Sequence, residues 1–181
     1  MIAFRSMIDP ANPFAAYIAT ILDALGSRDP MEVLTEMPET LRKAVSGLTP
    51  EQEGMPEAPG KWSIRQVVQH LADSELVGAF RFRMVLSHDG PELPGYDQDL
   101  FAERLRYEES DIPTALNDFT TLRKSNLRLL KRATPEEMKR VSHHAERGDE
   151  PLEYMIRLYA GHDRKHLGQI ARIRQAIGVP A

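Results

Sequence analysis

Cysteine is absent from the 181 residues. Disulfides, thiolate metal ligands and a cysteine nucleophile are therefore excluded together. Any metal must be held by imidazole and oxygen, and any thiol chemistry must use a thiol that arrives with the substrate. Positive charge is not in excess either: 23 Lys and Arg against 27 Asp and Glu give a formal net charge of −4. That balance offers no electrostatic ground for binding nucleic acid and argues against adhesion to anionic membranes. No apolar run approaches the roughly 20 residues of a membrane span. The segment Met1–Pro10 lacks the unbroken apolar stretch of a secretion signal, so a cytoplasmic address is expected.

What is present is globular composition, 41% hydrophobic and 28% charged, on a length that suits one domain spanning residues 1–181. Within it, residues 1–28 read as an N-terminal extension or short helix. The periodicity is helical nearly throughout, without β-alternation. A short helix is predicted over Pro13–Leu25, with Asn12 as its cap and Gly26 as its stop. A second runs from Pro30 to about Leu48 behind the cap Asp29, and the Pro- and Gly-rich stretch Thr49–Lys61 is a loop. Ser63 opens a long helix to about Ser87, with an inward stripe of Ile64, Val67, Leu71 beside His70, Ser74 and Gly78. After the breakers of His88–Gly95 come a short helix near Asp97–Arg106 and a long one over Ile112–Arg132. A brief turn at Thr134–Glu137 and a polar loop over His143–Asp149 precede the last helix, from Glu150 or Pro151 to Ile177. The expected class is all-α, a four-helix bundle with additional short helices, a scaffold that builds sites from facing side chains.

Three histidines stand out. His162 and His166 are four residues apart, which on a helix puts both imidazoles on one face about 6 Å apart along the axis. They continue the stripe Leu152, Tyr159 and onward to Ile173, so they occupy positions where a bundle interior expects leucine. Buried neutral imidazoles need partners for their ring nitrogens, which a metal or neighbouring side chains would supply. His70 lies on or beside the inward stripe of its own helix. Three imidazoles with one open position form a ligand set for zinc and related divalent ions. A stripe tilted towards solvent, or hydrogen-bonded core histidines, are the alternatives.

Neighbouring residues admit two readings each. Asp73 and Glu75 follow His70 within two turns, as carboxylates that orient a ligand imidazole or as ion pairs with Arg81 or Arg65. Glu75 in the fourth coordination position would make the site a closed, structural one. Asp163 lies about 100° around the helix from His162, a poor position for a general base. His143 and His144 are expected on a loop surface. Trp62 is expected to pack back on its helix, with a pocket wall as the alternative. The basic run Arg157, Arg164, Lys165, Arg172 and Arg174 is expected to face mostly outward.

These segments resemble a known family. Gly60-Lys61-Trp62-Ser63-Ile64-Arg65-Gln66-Val67-Val68-Gln69-His70-Leu71-Ala72-Asp73-Ser74 is similar to the second-helix motif of the DinB superfamily, particularly its YfiT-like branch. Tyr159-Ala160-Gly161-His162-Asp163-Arg164-Lys165-His166-Leu167-Gly168-Gln169-Ile170 is similar to that branch's last-helix motif, and Tyr96–Glu103 to its middle segment. The resemblance implies a four-helix bundle in which His70, His162 and His166 bind one divalent metal ion, commonly zinc or nickel. It further implies a homodimer, as in many members, and an assignment as metal-dependent hydrolase. Relatives in the wider superfamily transfer low-molecular-weight thiols to electrophiles.

The expected function is therefore a metal-dependent hydrolase or small-thiol S-transferase acting on a small molecule. The alternative is a non-catalytic bundle that binds a metal or ligand.

Overall fold

Apolar residues at steps of three and four draw the long helices around a shared interior in the structure, a computed structural model that describes residues 12–180. The reading of Met1–Pro10, and with it the start of the 1–28 extension, lies outside the described residues. The elements run α1 (Ala15–Leu25), α2 (Pro30–Ala44), the single turn α3 (Pro50–Glu53), α4 (Ile64–Ser87), β1 (Glu92–Leu93), α5 (Gln98–Arg104), α6 (Ile112–Leu130), β2 (Val141–His144), β3 (Gly148–Pro151) and α7 (Leu152–Ala176). Short 3-10 turns at Tyr107–Glu109 and Glu137–Lys139 flank α6. The long helices α2, α4, α6 and α7 make the four-helix bundle, and α1 packs along α7.

Local chemistry sets the helix starts. The Asp29 carboxylate accepts from the Glu32 amide ahead of Pro30. Ser63 and Gln66 form a reciprocal capping box, which fixes where α4 begins and hence which face carries His70. Asn12 is not the cap of α1. Its side chain accepts from the Phe14 amide one turn early, and the helix starts at Ala15.

Among the described residues the apolar core forms three clusters. One gathers Leu41, Val67, Leu71, Phe119 and Ile173, a second Leu34, Phe82, Leu130, Met155 and Tyr159, and a small third joins Ile18 and Ile21 of α1 to Tyr154 and Leu158. Full burial of each such side chain contributes about 1.5–3 kcal/mol. Buried polar residues Glu75, Arg123, Asn126 and Asp163 also lie within the bundle.

Two expectations are corrected. The chain does carry strands: β1 pairs parallel with β2 (Leu93 opposite His144), and β2 pairs antiparallel with β3 (His143 opposite Asp149). The predicted loop His143–Asp149 is thus the turn and flanks of a hairpin, and His144 is buried rather than on the surface. Alternation was invisible because the buried positions of β2 are Ser142 and His144, both polar. Among the described residues, no helix is long and apolar enough to cross a membrane.

Candidate metal centre

His70 projects from the second turn of α4, and His162 and His166 from successive turns of α7. Their side chains meet. His162 Nε2 lies 3.0 Å from His70 Nε2 and 3.1 Å from His166 Nε2. Ring nitrogens of all three lie within 4.8 Å of one another.

The protonation pattern is constrained. His166 Nδ1 stands 2.8 Å from Gln169 Oε1, an acceptor, so Nδ1 carries the hydrogen and Nε2 carries the lone pair. His70 Nδ1 and His162 Nδ1 are buried without a partner among the described residues. Burial holds the His70 imidazole well below its ordinary range, with His166 adding to the effect. Burial does the same to His162, followed by the charges of His166 and His70. His166 is held down to about 4 by burial, against the opposing hydrogen bond of Gln169. All three rings are therefore neutral at pH 7.

Neutral imidazoles this close either share an N–H···N hydrogen bond or turn their lone pairs on a cation held between them. Donors about 2.0–2.1 Å from a tetrahedral zinc stand roughly 3.3 Å apart, close to the two separations measured from His162. The donor set therefore fits one divalent ion with a position left open.

The nearby carboxylates are engaged elsewhere. Asp73 accepts from the Tyr107 hydroxyl at 2.6 Å and from Gln69 at 3.2 Å. Glu75 is ion-paired, as one reading had it, but with Arg123 rather than Arg81 or Arg65, and its contacts are not with the imidazoles. It lies buried, 2.7 Å from Arg123 Nη2, and accepts from Asn126 at 2.7 Å. Asp163 faces α6, with Oδ2 2.8 Å from Arg123 Nη1. Burial raises its carboxyl above the usual range, and Arg123 opposes that rise. The Arg123 guanidinium also donates to the Leu34 carbonyl, so one side chain joins α2, α4, α6 and α7. Trp62 packs against the first core cluster, and its ring centroid stands 5.0 Å from that of His70.

A cavity of about 470 Å³ opens beside the cluster, with His162 in its wall. Tyr17 and Ile21 of α1, Ser74 and Arg81 of α4, and Tyr159 of α7 line it. Glycine decides two of these approaches. A side chain at Gly78 would come within 2.7 Å of the Tyr159 ring, and one at Gly161 would overlap the Ile21 carbonyl. The helix before His162 can therefore receive α1 backbone to backbone. The contribution of α1 went unread in the sequence, where its pattern signals only a helix. Arg147, from the hairpin turn, reaches the cavity paired with Glu150 at 2.5 and 2.9 Å. His144 behind it is held down to about 3, first by burial and then by Arg147 and Arg81.

Known proteins share this frame. The sequence pattern of the DinB superfamily matches residues 34–170. The Bacillus subtilis protein named "Putative metal-dependent hydrolase YfiT" is 30% identical over 149 residues, 82% of this chain and 84% of that protein. A Bacillus mycoides protein named "Putative metal-dependent hydrolase" is 28% identical over 161 residues, 89% of this chain and 92% of its own. The solved structure of YfiT from Bacillus subtilis, described as an unusual four-helix bundle topology, matches with a TM-score of 0.78 at 30% identity. That match covers 83% of this chain and 86% of the other.

Proposed function

Because the chain belongs to the DinB superfamily, we propose that it is a metal-dependent enzyme acting on a small molecule, with His70, His162 and His166 as the metal ligands. The observation that carries this is the meeting of three neutral imidazoles, one of which, His162, lines a cavity. Zinc or nickel suits an all-imidazole set. Such a cation supplies Lewis acidity and makes a water or thiol beside it a nucleophile at neutral pH.

The protein's own groups hold this arrangement. Gln169 sets the His166 tautomer. Arg123 fixes the turn of α7 that carries His162 by gripping Asp163. Trp62 packs on His70. Tyr159 and Ile21 line the space a substrate would occupy beside His162.

Hydrolysis is the reading the relatives' names favour. One observation favours transfer of a small thiol instead: Asp73, Glu75 and Asp163 are all held by other partners, which leaves none of them free as a general base. A thiol, with an ordinary pKa near 8.5, needs far less help to ionise than water does. A single domain over residues 1–181, a homodimer and a cytoplasmic site of action belong to the same proposal.

Metal analysis of protein purified without a nickel resin should find about one ion per chain, and none in His162→Ala. Metal-loaded protein is then offered a panel of esters and amides, and a panel of electrophiles with small thiols. Turnover in one panel identifies the reaction. A loaded protein inert to both supports the non-catalytic bundle instead.

A further inference from the structure

Arg81 is 4% exposed, and among the described residues its contacts include no carboxylate. Its Nη2 donates to the Pro94 carbonyl at 2.7 Å, its guanidinium donates to the Tyr159 phenol oxygen, and its guanidinium carbon lies 5.8 Å from the Tyr96 ring centroid. Its Nε is buried without a partner. Two other arginines in comparable surroundings are neutralised: Arg123 by Glu75 and Asp163, and Arg147 by Glu150. Two carboxylates also stand at the cavity: Asp97 accepts from the Asp99 and Leu100 amides as the cap of α5, and the charge of Glu146 acts on Arg147.

An unneutralised buried cation is costly, and a guanidinium has five donors of which few are used here. Placed at the wall of a cavity, it is complementary to an anion that enters. Arg81 also shares a helix face with the histidine cluster. Eleven residues separate it from His70, three turns and about 16 Å along the axis. Cα–Cβ bonds tilt towards the helix N-terminus, which brings the guanidinium back towards Ser74 and His162. The cavity volume falls within the roughly 300–1,000 Å³ usual for small-molecule sites.

We infer that Arg81 binds a carboxylate or phosphate group of the substrate, so that this site takes small anionic molecules and presents their far end to the histidine cluster. Delivery to a reacting centre rests on the metal-dependent reading above; the anion subsite itself does not require the metal.

The test uses the full chain, metal-loaded and chelator-stripped, labelled with nitrogen-15 so that arginine Nε–H signals are resolved. It is titrated with glutarate, inorganic phosphate and the uncharged analogue glutaramide. The Arg81 signal should shift saturably with at least one anion and not with glutaramide, in both metal states. Glutarate alone would mark a carboxylate substrate, and phosphate alone a phosphorylated one. Calorimetry should show R81Q binding the effective anion about tenfold or more weakly, as expected for loss of charge-assisted hydrogen bonds. R81K, which keeps the charge without the planar fork, should fall between. Metal content should be unchanged in both variants.

An Arg81 signal unmoved by either anion overturns the proposal, as does undiminished anion binding in folded R81Q. Anion binding that disappears on chelation also overturns it, since the anion then sits on the cation. If R81Q does not fold, the wild-type titration decides. Wild-type protein that carries no metal yet shows the Arg81 shift would sink the metal reading and leave the anion subsite standing.

Discussion

Arg123 Nη1 lies 2.8 Å from Asp163 Oδ2, which ties α6 to the residue that follows His162. The same guanidinium holds Glu75 of α4 at 2.7 Å, and all three side chains are buried. This buried ionic contact thus braces the two helices that supply the histidines without touching their nitrogens.

Removing the cation from this group should be severe. Arg123→Met leaves two buried carboxylates facing each other and should cost about 3–5 kcal/mol. Adding Glu75→Gln and Asp163→Asn to that variant should recover much of the loss, because the uncompensated charges are gone. Urea unfolding midpoints of the single and triple variants measure both. A single variant within 1 kcal/mol of wild type, on the order of an exposed pair, would show the triad to be far less buried than described.

Metal removal should destabilise the fold. An ion bound by the folded chain alone adds about 2.7 kcal/mol when free metal is a hundredfold above its dissociation constant. Chelation should therefore lower Tm by several degrees, and His70→Ala or His166→Ala should bind less metal and respond less to chelator. Calorimetric scans with and without chelator, on protein of known metal content, check this. An unchanged curve contradicts it.

Acid should unfold the metal-free protein early. Burial holds His166 down to about 4 and His144 to about 3, with His70 and His162 also well below their ordinary range. The unfolded chain titrates these groups near 6.5, so below that pH it binds more protons than the native state. Stability is then fully present above pH 6.5 and falls as pH drops towards 4. His166 alone accounts for a loss on the order of 3 kcal/mol. Urea midpoints in chelator should hold between pH 7.5 and 6.5 and decline from there to pH 4.5. Metal affinity should weaken over the same range, because protons compete for the imidazoles.

Two glycines of α7 should respond in opposite directions. Gly161→Ala places a methyl group against the Ile21 carbonyl and within 2.7 Å of the Ile21 side chain, so α1 must shift, at about 1–3 kcal/mol. Gly168→Ala meets no neighbour within 4 Å and should stabilise the helix by about 0.5–1 kcal/mol. Melting curves give the signs. Faster amide exchange along α1 in Gly161→Ala alone would locate the damage.

Much of the frame is legible in the chain because helix formation is a local affair. Ser63 with Gln66, Asp29 with Pro30, and apolar steps of three and four place α2, α4, α6 and α7 to within a few residues. The hairpin was not legible. Its strands are two to four residues long, and the buried side of β2 is polar. Nor could spacing tell that Glu75 and Asp163 would turn to Arg123, 48 and 40 residues away in the chain, rather than to the imidazoles.

The sequence by itself determined which residues share a helical face: His162 with His166 on one helix, and His70, Ser74 and Arg81 on another. Periodicity and capping involve only neighbours along the chain, so these follow from local backbone geometry. Only the tertiary structure decided that the two faces meet at 3.0 Å, that α1 lines a cavity beside His162, and that among the described residues Arg81 meets no carboxylate. Those facts depend on how helices distant in sequence pack, on the close approach allowed at Gly161 and Gly78, and on which buried charges find partners.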